Sequence, residues 1–352
     1  MTDIYKIPTI TMVEAINLFK TPATYLIDTF FSKKLPTANS EFISLEYKKG
    51  KRSLAPYIVE GAKAVNIARG ESDSKLYAAP MLGVRRIISA KDINRRMFGE
   101  QPIFSNMSAQ DRANQIIADD LSELQRLITN KKNYMAAELL QTGKIEVDGY
   151  ADDGQTVRID TIDFKFNGVS TVANSWATNT TDIYKDIYNA VNKIAEEVGE
   201  LPDIMVVGKN VEQYILNNRT VEKWLMMPNA QYANFANFAP KYIAPQTRYI
   251  GRINALGLEV YSYLETYFDE KTGTVKPFID ENNAIIGIGG RGKQITGAIT
   301  LLEGGNWNTY AAEYVPHYTY DDKNNQSSLA LYSRFVPVPE VVESWQTLHT
   351  VP

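Results

Sequence analysis

The chain predicts an α+β fold, on three observations. One helical pattern of unusual length runs over residues 109–142. Period-2 alternation covers residues 39–90 with little apolar mass behind it. A compact helix–strand–helix pattern followed by further strands fills residues 170–312. The 352 residues are enough for about two domains. With 44% hydrophobic and 22% charged residues, the composition is that of a globular chain.

Residues 1–38 read as an arm. A short amphipathic helix over residues 12–19 stops before Pro22, and the apolar patch 25–31, ending in Phe30 and Phe31, is broken again by Pro36. An arm this apolar has to bury itself against a core or a neighbour. In the next stretch, a strand at 41–47 leads to a basic tip at 48–52 and a return segment at 54–59; a polar turn at 70–74 precedes a further leg at 81–88. A two-stranded excursion is marginal alone, so it is expected to lie on a partner.

The helix at 109–142 carries the clearest signals. Ser108 can cap it with Asp111 three residues on, and Gly143 supplies the stop. Its apolar face runs through Ala113, Ile117, Leu121, Leu124, Ile128, Met135 and Leu139. At 1.5 Å per residue it forms a rod of about 50 Å, a rigid spine. Two antiparallel strands, 144–147 and 157–166, turn at 152–154, and the polar stretch 170–181 marks a boundary. The next unit opens with a helix striped by Ile183, Ile187, Val191, Ile194 and Val198 and closed by Gly199. A strand at 203–208, a helix from Asn210 to Trp224, an aromatic and Asn-rich loop at 228–245, and strands at 258–264 and 284–288 follow. In the tail, strands at 313–320 and 328–336 flank a polar turn at 321–325, a β-hairpin pattern.

Chemistry is scarce. Zero cysteines exclude disulfides, thiolate nucleophiles and Cys-ligated metals, and the two histidines, His317 and His349, have no elbow or metal motif around them. The segment GIGGRGK, Gly287 to Lys293, imitates a phosphate loop after a strand. However, Gln294 stands where a Ser or Thr would hold Mg²⁺, and the alternating residues 294–302 read as strand, so a flexible hairpin is expected. The Asp pairs at 152–153 and 321–322 sit in turns, where Asp bonds its own backbone. No basic leader precedes an apolar core, and no apolar run approaches membrane-spanning length. No catalytic, cofactor or metal residues are assigned.

Charge is unevenly placed. The chain totals −4, yet residues 1–100 hold 10 Lys and 6 Arg against 4 Asp and 6 Glu, a net +6, leaving −10 for the rest. The basic clusters, including Lys48, Lys49, Lys51, Arg52, Arg85, Arg86, Arg95 and Arg96, fit contact with an acidic partner.

In order and spacing, FFSKKLP at 30–36 entering FISLEY at 42–47, IVEG at 58–61, Arg85-Arg86, RRMF at 95–98 ahead of the spine, and FIDENN at 278–283 resemble the lambda-type major capsid proteins (capsid protein E family) of tailed bacteriophages, with the Hong Kong 97-type fold. The resemblance implies an N-terminal arm at 1–38, an E-loop at 39–90, and a P-domain at 91–169 with the spine helix. It further implies an A-domain at 170–312 and a return to the P-domain at 313–352. It implies a non-enzymatic, cofactor-free subunit that meets copies of itself in pentamers and hexamers. Their icosahedral head would enclose double-stranded DNA without reading its sequence, and would be assembled in the bacterial host cytoplasm. A separate scaffolding protein, a portal and a decoration protein are the further partners implied. Phe30, Phe31 and the eight basic residues named above are the inter-subunit contact candidates. The alternatives are a nanocompartment shell of the same fold and, from another class, a nucleotide-binding enzyme using Lys293.

Overall fold

The computed structural model describes residues 9–17, 24–48, 72–94, 108–150, 156–219, 241–244, 246–270, 272–303, 305–321 and 326–352. In chain order the first elements are α1 (Thr9–Asn17), α2 (Tyr25–Phe30), β1 (Lys33–Lys34), β2 (Phe42–Lys48), β3 (Ser72–Ala78), β4 (Met81–Ser89) and α3 (Ala90–Asn94). The spine α4 (Ala109–Thr142) is followed by β5 (Lys144–Tyr150), β6 (Thr156–Asp163), β7 (Val169–Thr171), α5 (Ile183–Val198), β8 (Ile204–Val207) and α6 (Lys209–Leu216). Then come β9 (Lys241–Ala244), β10 (Thr247–Ile253), β11 (Leu258–Tyr263), β12 (Thr266–Asp269), β13 (Thr274–Pro277), β14 (Asn283–Gly287) and β15 (Gly292–Thr296). The chain ends with β16 (Ile299–Glu303), β17 (Asn306–Tyr310), β18 (Val315–Asp321), β19 (Gln326–Pro339), a 3-10 turn (Val342–Ser344) and β20 (Trp345–His349).

A seven-stranded sheet forms the most enclosed part, in the order β7-β20-β14-β8-β11-β10-β9. Alternation along its strands explains how both faces are covered. Met205, Val207, Ala284 and Ile286 pack with Ile187, Val191 and Ile194 of α5 and Val211 and Ile215 of α6. The intervening Val206 and Ile285 face the other way, into a core shared with α2 and the second half of α4. Asp182 caps α5 by accepting from the Lys185 N–H at 3.2 Å, and Gly199 ends it at φ 83°.

The second sheet runs β1-β15-β19-β18, with β4 also pairing β19. Strand β19 is long enough to serve both ends: its first half lies between β18 and β4, its second half against β15. Helix α4 packs on this sheet. Leu121, Leu124 and Ile128 meet Leu329 and Leu331 of β19 together with Met12 and Ile16 of α1. Both α4 termini are built as expected: Ser108 and Asp111 form a complete capping box, and Gly143 closes the helix at φ 73°. Four two-stranded ribbons, β2–β3, β5–β6, β12–β13 and β16–β17, account for the remaining described strands.

Several expectations are corrected. The helix expected to reach Trp224 ends at Leu216, because Asn217 stops it and the buried Asn218 turns its side chain to the Thr181 carbonyl at 2.9 Å. The glycine segment after β14 is no hairpin: β14 pairs β8 and β20, whereas β15 pairs β1 and β19, so the chain crosses between sheets there. The continuous strand expected over 294–302 is two strands, β15 and β16, parted at Gly297-Ala298, whose amides bond the carbonyls of Arg334 and Ser40. The strand returning against β2 is β3, with Ser72, Asp73 and Ser74 opposite Lys48, Tyr47 and Glu46. Residues read as a polar turn thus serve a ribbon whose backbone pairing outweighs their propensity. The return segment expected at 54–59 lies outside the described residues; of the loop expected at 228–245, residues 228–240 and 245 also lie outside them, and Lys241–Ala244 form strand β9 instead.

Candidate functional site

Phe30 and Phe31 are placed in the chain's own core, with Phe31 only 1% exposed, so neither ring faces outward. Their burial explains the glycine motif. A Cβ on Gly287 would lie 2.9 Å from the Phe30 ring, and one on Gly292 would run into Phe31. Gly287 and Gly292 of the phosphate-loop-like segment thus leave room for the Phe30 and Phe31 rings against the backbone, while Gly289 does the same for Ile204. The N-terminal segment is sealed there: Lys33 and Lys34 pair in parallel with Lys293 and Gln294, and the Gln294 side chain donates to the Phe31 carbonyl at 2.7 Å. Glu340 is shared by Lys33 at 2.6 Å and Lys293 at 3.5 Å. With a strand after it instead of a helix N-terminus, and Lys293 paired, the segment has no phosphate-binding geometry.

Of the basic candidates, Arg85 is exposed on β4, while Arg86 turns to the other face and bridges Asp120 at 2.6 Å and Glu123 at 2.5 Å on α4. That partnership holds the Arg86 guanidinium above its ordinary pKa, chiefly through the Asp120 hydrogen bond. Lys48 ends β2 opposite Ser72. Lys49, Lys51, Arg52, Arg95 and Arg96 lie outside the described residues.

Two surfaces escaped the sequence reading. On β12–β13, Phe268 and Val275 sit directly opposite each other, 62% and 65% exposed. On β16–β17, Leu302 and Trp307 form an equivalent pair, 51% and 72% exposed. The second ribbon is fixed by its opposite face, where Ile299 and Leu301 pack against Val315. The available signal was the adjacent pair Leu301-Leu302, since neighbours on a strand face opposite ways and one of them must look outward. Met81 and Ile87, also exposed, flank Arg85 on the outer face of β4.

Polar groups inside the body tie elements together. Lys132 of α4 is buried, 2.8 Å from Glu313, with its ammonium 4.0 Å over the Tyr314 ring. Burial pushes its pKa down to about 8 against the pull of Glu313. Burial works against the Glu313 carboxylate too, but the Lys132 charge and hydrogen bond hold it below its ordinary pKa. Buried Glu212 of α6 pairs with Arg248 and accepts from Ser262 at 2.6 Å. Asn133 donates to Tyr263 at 2.6 Å and to Glu265 at 3.0 Å, linking α4 to the seven-stranded sheet. The Lys132 and Glu212 charges each meet an opposite charge, whereas Asn133 uses its amide donor and leaves its buried Oδ1 without a partner. Among the described residues, no group of three or more His, Cys, Asp or Glu could hold a metal ion. No described helix is long and apolar enough to cross a membrane.

Comparison with known proteins places this arrangement. The family profile described as "Phage major capsid protein E" matches residues 9–347. A putative prophage capsid protein of E. coli CFT073 superposes with a TM-score of 0.67 at 15% identity, covering 97% of this chain and 99% of that one. A phage-related protein from Bordetella bronchiseptica RB50 gives 0.51 at 11% identity over 99% and 98% of the two chains. The capsid of cyanophage P-SCSP1u gives 0.50 at 9% identity over 90% and 85%. No curated protein sequence matches the chain.

Proposed function

The chain belongs to the phage major capsid protein E family, and from that premise we propose that it is the shell-forming subunit of a tailed-phage head. In this reading it assembles as pentamers and hexamers into an icosahedral container for double-stranded DNA. The family match over residues 9–347 is the observation that carries it.

Residues 1–38 are the arm and 39–90 the E-loop. Residues 91–169 form the P-domain on its spine, 170–312 the A-domain, and 313–352 the return. The physics supports such a use. Two-stranded ribbons are marginal alone, and the exposed pairs Phe268–Val275 and Leu302–Trp307 are apolar area that a neighbour would cover. Contacts between unlike patches of identical chains close into rings and shells when the rotation allows it. The net +6 of residues 1–100 against −10 elsewhere lets basic parts of one copy lie on acidic parts of another. The total of −4 suits a wall that must not adhere to the DNA it holds. A separate scaffold, a portal and a decoration protein complete the proposed set of partners, and the host cytoplasm is the proposed place of assembly.

Negative-stain microscopy of the purified chain, with and without its scaffold, tests the proposal. Rings, tubes or shells are expected. Persistent monomers under every condition, scaffold included, would overturn it. Raising salt should weaken assembly, because exposed charges are screened within about 10 Å at 0.1 M.

A further inference from the structure

The β5–β6 ribbon doubles back at Gly143 and lies along the last turns of α4. Its base is held in the core: Ile145 and Ile162 belong to the buried cluster that includes Met135 and Leu139 of α4, with Val147 only partly buried at its edge. Two openings flank that contact. A groove of about 530 Å³ separates Val147 and Gly149 from Lys131 and Met135. On the other side, a cleft of about 850 Å³ runs between Glu138 and the β12–β13 ribbon.

Glu138 sits at this contact. Its carboxyl accepts a backbone hydrogen bond from Glu146 of β5. Its Oε2 is enclosed by protein and has no hydrogen-bond partner. An enclosed carboxylate oxygen without a donor is costly in its charged form. The surroundings add to that cost. From β5, Glu146 and Asp148 oppose a second negative charge; from its own helix only Lys131 compensates, and that ammonium lies 4.5 Å over the Tyr134 ring. Across the cleft stand Tyr267 and Lys276 of the β12–β13 ribbon, with Lys276 bound to Asp269 at 2.6 Å, while Lys144 pairs with Asp163 at 3.0 Å. Asp280 and His349 line the far wall.

We propose that Glu138 is a proton-operated latch: protonated, it seats the β5–β6 ribbon on the spine helix, and ionised, it lets the ribbon lift. Burial, reinforced by Glu146 and Asp148, pushes its pKa up to about 7. Lifting returns the carboxyl to water, where its ordinary value of 4.5 applies. The seated form therefore holds a proton that the lifted form releases. Lifting becomes easier as pH rises from 4.5 to about 7, by at most about tenfold per pH unit, and is level outside that window. The latch belongs to the single chain and stands apart from the shell reading.

Hydrogen–deuterium exchange on the unassembled full chain from pH 5 to 8.5, with labelling times scaled for intrinsic exchange, tests it. Protection of peptides covering β5 and β6 should fall by about tenfold or more between pH 5 and 7.5, while α5 and β14 stay level. Glu138→Gln should flatten the ribbon's profile, and Glu146→Gln should shift its midpoint to lower pH. A ribbon as level as α5 in the wild type, or a Glu138→Gln profile like the wild type, overturns the latch. If Glu138→Gln does not fold, the Glu146→Gln midpoint decides: unshifted, the latch is wrong.

Discussion

The seven-stranded sheet and the four ribbons solve the strand problem in opposite ways. In the sheet, β8 and β14 have neighbours on both edges and side chains covered on both faces, so nearly every residue is buried. In the ribbons, each strand has one neighbour, and Phe268, Val275, Leu302 and Trp307 face solvent. The sheet is stabilised within the chain. Two of the ribbons, β12–β13 and β16–β17, hold apolar surface that a neighbour would cover on the proposed reading. On the proposed reading, stability and assembly are thus written into separate parts of the same polypeptide.

That division can be broken by substitution. Ile285→Ala removes a fully buried side chain from the core shared with α2 and α4 and should cost about 2–5 kcal/mol of folding stability in denaturant melts. A cost below about 1 kcal/mol would show the sheet to be looser than its burial implies. Gly292→Ala drives a methyl into Phe31 and should cost about 1–3 kcal/mol, which would assign the N-terminal segment to the self-sufficient body. Arg86→Ala breaks a half-exposed bridge to Asp120 and Glu123 and should cost no more than about 1 kcal/mol. Trp307→Ala should change the monomer's melt by less than about 0.5 kcal/mol while raising the concentration needed for shells in sedimentation assays. A large loss of monomer stability there would erase the distinction.

How much of this was legible follows from where each signal lives. Helix α4 could be read to the residue, since its cap, stripe and stop are all local: Ser108 with Asp111, Leu121 through Leu139, and Gly143. The β18–β19 hairpin was legible for the same reason. Long-range pairing was not. Nothing near Gly287 reveals that β15 will join β1, whose residues Lys33 and Lys34 lie far earlier in the chain. The apolar patch at Phe30 and Phe31 announced burial without naming its partner, and the partner is the chain's own core. The exposed pairs on the ribbons were hidden because cross-strand register decides which apolar residues meet at the surface.

The strand order of the main sheet also has a consequence for time. Strand β20, residues Trp345–His349, lies between β7 and β14, and β1 waits for β15. A ribosome adding about 5–20 residues per second makes β20 roughly 10–35 s after β7. The seven-stranded sheet therefore takes its final order only once residue 349 is made, however early β8, β11 and β14 have paired. On the proposed shell reading, a copy cut before β20 would offer its neighbours an unfinished sheet.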